Sequence, residues 1–148
     1  GKLVAMVRNE AREEATKTGR ELILIDGPPG IGCPVISSLT GTHLAVIVTE
    51  PTPTGAHDLK RIVELTNHFQ IKTAVAVNKS DINVSYAREA QQFCKDNSLV
   101  YLGDIPYEPK ITEAQKEAKT ILDLAPQCGA SGAIREIHTK LQSILEEL

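Results

Sequence analysis

Apolar positions return along this chain in two rhythms. Leu3, Val4, Val7, Ala11 and Ala15 recur at helical spacing with charged residues between them, and Thr18-Gly19 marks the end of that helix. Four short runs follow another rule. Leu22–Ile25, Leu44–Val48, Thr73–Val77 and Leu99–Leu102 are continuous and favour extended chain, and each stops at polar or Gly/Pro-rich residues. Runs of this kind mark strands buried on both faces, as in parallel sheets. Helical patterns separate the later runs: Leu59, Ile62, Val63, Thr66 and Phe69, then Ala87, Ala90 and Cys94. A last amphipathic helix carries Ile134, Ile137, Leu141, Ile144, Leu145 and Leu148. The alternation predicts βαβ units with right-handed crossovers. The expected fold is α/β: one domain over 1–148, with a mostly parallel sheet flanked by helices in a three-layer, Rossmann-like arrangement.

Composition narrows the function classes. The chain has 148 residues, a formal charge of −3 and no run of Lys or Arg, which argues against a nucleic-acid surface. Two Phe, three Tyr and no Trp leave too few rings for base-stacking platforms, so the core must be aliphatic. Cys33, Cys94 and Cys128 are odd in number and far apart, which fits neither a disulfide framework nor a zinc knuckle. A reduced, cytoplasmic protein is expected. The first residues do not read as a signal peptide, and no apolar run reaches the ~20 residues of a membrane-spanning helix.

Open parallel sheets bind ligands beyond the C-terminal ends of their strands. The polar residues there are Asp26-Gly27-Pro28-Pro29-Gly30, Glu50 to Gly55, Asn78-Lys79-Ser80-Asp81, and Ile105-Pro106-Tyr107-Glu108. Four apolar residues closed by Asp26 form a Walker B pattern, in which a carboxylate serves a Mg²⁺ site. A turn-forming Asp explains the same pattern without chemistry. Gly30 and Gly32 add backbone that can approach a phosphate closely; a turn needing glycine for its geometry is the rival explanation. The stretch is not a dinucleotide fingerprint, because Val35 stands where a third glycine belongs. Pro29 breaks the Asp-x-x-Gly spacing of GTPases. Asn78 to Asp81 suits contact with a nucleotide base; the plainer alternative makes Asp81 the N-cap of the next helix.

These residues resemble the switch II region of the MinD/ParA/Mrp group of P-loop ATPases, and most closely MinD-like ATPases with an inserted ferredoxin domain. The resemblance runs from Leu22–Ile36 through Val48–Gly55 and Asn78–Asp81 to Gly103–Tyr107, covering roughly residues 1 to 125. It implies a P-loop NTPase-like fold, ATP, Mg²⁺ and a nucleotide-controlled homodimer. By position, Asp26 would be the metal-site and catalytic aspartate and Gly30 a γ-phosphate sensor. Asn78, with Lys79 and Asp81, would contact the base, and the Pro106 loop would flank it. The family's Lys-Gly-Gly-x-Gly-Lys-Thr loop does not occur in these residues; the Gly-Lys pair at Gly1-Lys2 is followed by Leu3. The switch I aspartate and the ferredoxin cysteines have no counterpart either. The chain therefore reads as the C-terminal part of such an ATPase, completed by a missing N-terminal half, with a ferredoxin-type or iron–sulfur partner. Alone it is expected neither to hydrolyse ATP nor to bind it usefully. A GTPase and a nucleotide-free interaction module are the alternatives.

Other residues carry less. Cys33 beside the glycine loop could be redox-linked or simply small and buried, Cys94 belongs to the core, and Cys128 has no partner at metal-ligand spacing. His57 reads as a solvated loop histidine. In the resembled family the phosphate-loop strand lies between the strands matching 22–25 and 44–48. Those two are therefore expected to pair directly, or to have the gap filled by another chain.

Overall fold

The computed structural model describes residues 2–148. Helix α1 (Lys2–Thr18) and α2 (Cys33–Leu39) precede β1 (Leu44–Thr49), α3 (Pro53–His68), β2 (Lys72–Asn78), α4 (Val84–Asp96) and β3 (Val100–Ile105). Helices α5 (Lys110–Lys116), α6 (Ile121–Leu124) and α7 (Gly129–Glu146) complete the order. The strands form one sheet in the order β1-β2-β3, with β2 and β3 parallel and a helix between successive strands, the α/β arrangement expected.

The described residues gather into two compact units, one running up to Ala45 together with Lys60–Lys72, the other Val46–Leu59 with Thr73–Leu148. In the first unit α1 packs on α2 through polar ties rather than a core, since α1 buries no residue. Arg8 donates Nη1 to Ser37 O at 2.7 Å and Arg12 donates Nη2 to Gly41 O at 3.1 Å. These two guanidiniums, one turn apart, meet the carbonyl end of α2, where cations are favoured.

The second unit holds the core. Thr73 to Val77 of β2 are all buried, so both faces of that strand are covered. Leu102 of β3 and Cys94 of α4 are fully buried, and α4 and α7 both pack against β3. Strand β3 carries a bulge: Val75 faces Tyr101 and Ala76 faces Gly103, leaving Leu102 without a partner in the ladder. Gly103 sits at φ +148°, a conformation that favours glycine. The bulge carries β3 on to Ile105, past the point where the apolar run ends at Leu102.

Two expectations need correction. Leu22–Ile25 is not a strand: Leu22 is 61% and Leu24 91% exposed, and residues 20–28 lack helix or strand. An apolar run buried on both faces must have neighbours that take its backbone hydrogen bonds. Among the described residues the sheet has three strands and this segment joins none of them, so it does not pair with β1. Strand β1 itself is not buried on both faces. Ala45, Ile47 and Thr49 are buried, while Val46 and Val48 are exposed, so one face of β1 is covered and the other is bare.

Burial gives Cys94 a measurable signature. Desolvation pushes its thiol from 9.0 up to about 11. The unfolded chain would ionise near the lower value and the folded chain near the higher, so this contribution to stability is complete below pH 9 and drains away towards pH 11. Chemical denaturation at pH 8 and at pH 10 should show a lower midpoint at the higher pH, and Cys94→Ala should shrink that drop. The Tyr101 phenol is also raised, by burial first and then by its hydrogen bond to Asp104, so further loss above pH 10 should persist in the variant.

Candidate functional site

Three loops leave the C-terminal ends of β1, β2 and β3, and polar bonds tie each to the next. The first is the most tightly built. Buried Thr49 donates its hydroxyl to Gly55 O at 3.1 Å, and Thr52 N donates to Glu50 O at 2.8 Å. Thr52 caps α3, its hydroxyl accepting from Gly55 N at 2.9 Å, with Pro53 in the first helical position. A Cβ on Gly55 would overlap Glu50 O and reach Thr49 Oγ1 at 3.0 Å.

The second loop holds Asn78, Lys79, Ser80 and Asp81. Lys79 adopts φ +53°, unusual for a residue with a side chain. Its ammonium lies 2.7 Å from Glu50 Oε1, joining the first loop to the second. Both side chains remain substantially exposed, so the pair adds at most about 1 kcal/mol and its main effect is orientation. Ser80 donates its amide to Ile105 O at 3.0 Å, and its hydroxyl lies 3.4 Å from the same oxygen. Asp81 Oδ1 accepts the Tyr107 amide at 2.7 Å. The second loop is thus locked to the third, and Asp81 is not a helix cap. That role belongs to Asn83, whose Oδ1 accepts from Tyr86 N at 3.3 Å. Asn78, half-buried at the end of β2, has its side-chain amide bonded to no described residue.

Pro106 opens the third loop, where its Cγ would lie 3.5 Å from a Cβ placed on Gly129, the first residue of α7. The structure therefore brings Asn78, Lys79, Asp81 and Pro106 into neighbouring, bonded loops. Asp26 and Gly30 fall in the other compact unit, on the segment that forms no strand. Asp26 is exposed, and Gly30 has φ +86° with open space where a Cβ would stand. No cluster of three or more metal-ligating side chains occurs among the described residues. A single carboxylate such as Asp26 suits Mg²⁺, which takes most of its shell from phosphates and water. Cys33 is exposed, and His57 Nδ1 lies 3.5 Å from Asp58 Oδ1 at the surface.

Sequence reasoning gave Glu50 no role, although its place after β1 was evident. It also missed that Asp81 serves a backbone amide, which no spacing rule announces.

The fold is that of an α/β protein with its polar loops at the strand ends, and the comparisons with known proteins give the class as P-loop NTPase. The solved structure of the MinC:MinD cell division protein complex of Aquifex aeolicus superposes with a TM-score of 0.76 at 23% identity, over 94% of this chain and 59% of that one. A family model described as ParA, the NUBPL iron-transfer P-loop NTPase, matches residues 12–142, and the chain belongs to that family. An uncharacterized protein of Methanocaldococcus jannaschii is 30% identical over 146 residues, which is 98% of this chain and 47% of the relative. The cytosolic Fe-S cluster assembly factor nubp2 of Danio rerio is 24% identical over 140 residues, covering 84% of this chain and 52% of the relative. The chain spans about half the length of these curated relatives. No described helix is long and apolar enough to cross a membrane.

Gly55→Ala tests the tight loop. The added methyl collides with backbone rather than a movable side chain, so the fold should lose about 1–3 kcal/mol, read from the denaturation midpoint.

Proposed function

We propose that this chain is the C-terminal part of a cytoplasmic, MinD/Mrp-type ATPase that binds and hydrolyses ATP with Mg²⁺, acts as a homodimer, and serves an iron–sulfur or ferredoxin-type partner. The observation that carries the nucleotide reading is the bonded cluster of strand-end loops, which holds the Asn78 amide at the end of the buried strand β2. A side-chain amide that can both donate and accept suits the edge of adenine. Pro106 supplies an apolar ring in the adjoining loop. Asp26 would hold metal-bound water and Gly30 would report the γ-phosphate, as the family resemblance implies. The bound nucleotide and metal would supply the phosphoanhydride and the charge neutralisation that phosphoryl transfer requires. The remaining phosphate contacts would come from the half of the protein outside these residues. The iron–sulfur connection is supported by the family description and by the assembly-factor relative.

A GTPase is less well supported. The Asp81 carboxylate, which would have to read guanine, already accepts a backbone amide at 2.7 Å. Pro29 stands against it as well.

In the complete protein, ATP should therefore outcompete GTP in a displacement titration; tighter binding of GTP would overturn the assignment. Asn78→Ala should weaken ATP binding by ~1–3 kcal/mol, the cost of a lost buried hydrogen bond.

Asp26→Asn should abolish Mg²⁺-dependent turnover with little change in melting temperature, because the side chain is exposed and removing its charge disturbs no packing. Retained turnover would reduce Asp26 to a turn residue.

A further inference from the structure

The β3 bulge lies just before the loop that would flank the base, and α7 grips it at two points. Leu102, the extra residue, has no partner in β2, and Lys140 donates its ammonium to Leu102 O at 2.6 Å. A buried carbonyl is costly to leave unpaired, and a charged donor satisfies it more strongly than a neutral one. Three residues earlier on the same helix, Ile137 Cγ1 lies 3.4 Å from where a Cβ on Gly103 would stand. The first residue of α7, Gly129, lies against Pro106. Three positions of one helix thus fix three points of β3 and its loop: Leu102, Gly103 and Pro106.

The register beyond the bulge decides where the loops meet. After the one-residue shift, Asn78 stands opposite Ile105, whose carbonyl takes Ser80 N, and Tyr107 N reaches Asp81. A slip of one residue would misplace each of these partners. We infer that Lys140 is a positioning residue for the nucleotide-base site: by holding the Leu102 carbonyl it fixes the register that brings the Asn78–Asp81 and Pro106–Tyr107 loops together. Lys140 touches no ligand in this scheme. The inference rests on the nucleotide reading above for its consequence, though not for its geometry.

The test uses the complete protein with Lys140→Met, which keeps the apolar stem and removes the donor, and Lys140→Arg, which restores a charged donor. NMR-detected hydrogen exchange of the nucleotide-free protein should show faster exchange at the Ser80 and Tyr107 amides in the Met variant. The interior of α4 should be unchanged, and the Arg variant should recover protection. The KM for ATP should rise roughly tenfold, the size of one lost charge-assisted hydrogen bond passed to the site, with kcat within about twofold. Inhibition by inorganic tripolyphosphate, which has no base, should not move. Unchanged exchange at Ser80 and Tyr107 would overturn the proposal, and so would a uniform rise that includes α4, which would make Lys140 a general stabiliser. Faster local exchange in a protein that binds no ATP would leave the positioning role standing and sink the nucleotide reading. If the Met variant does not fold, Lys140→Leu, which likewise removes the donor, makes the same comparison.

Discussion

The second unit depends on one constraint: β2 is buried along both faces, so every backbone group it carries must be satisfied by a neighbouring strand and every side chain by a layer above or below. Alternating Ala and Val put Ala74 and Ala76 on one face and Val75 and Val77 on the other, and all four are buried. A strand held so firmly delivers its last residue to a fixed place. Asn78 inherits its position from Ala74 to Val77, and the loops on either side are then bonded to the loop it begins.

Those bonds divide the work by strength. The Lys79–Glu50 pair is exposed and weak, suited to orienting a loop that can still move. The Asp81–Tyr107 bond is charge-assisted, and with the two Ser80 contacts to Ile105 it makes the second and third loops close to one piece. The asymmetry leaves the β1 loop as the adjustable member, even though its own interior, around Thr49, Thr52 and Gly55, is rigid.

The sequence showed β1, β2, α4 and α7 because their apolar periodicity is strong and local. It also placed Asn78, Lys79, Asp81 and Pro106 at strand ends, and the structure has them in adjoining, bonded loops. It misjudged Leu22–Ile25 because an apolar run states a demand for burial and says nothing about whether neighbouring strands are at hand. It stopped β3 at Leu102 because a bulge leaves no mark on periodicity except the glycine after it. Helices α2, α5 and α6 span only four to seven residues, too few for a repeating face to emerge.

The ends of four helices show how differently one backbone problem can be met. After α1, α3, α4 and α5 the chain turns through the left-handed region, and the next amide reaches back five residues, as Arg20 N does to Ala15 O. Glycine fills that position once, at Gly19; Gln70, Ser98 and Ala118 fill it elsewhere, where left-handed backbone costs roughly 1–2 kcal/mol each. Lys79 bears the same strain, but there it aims an ammonium at Glu50. The molecule therefore carries a reserve of unclaimed thermal resistance at three surface turns remote from any chemistry. Glycine at those turns would draw on it, whereas at position 79 it would cut the tie between two loops.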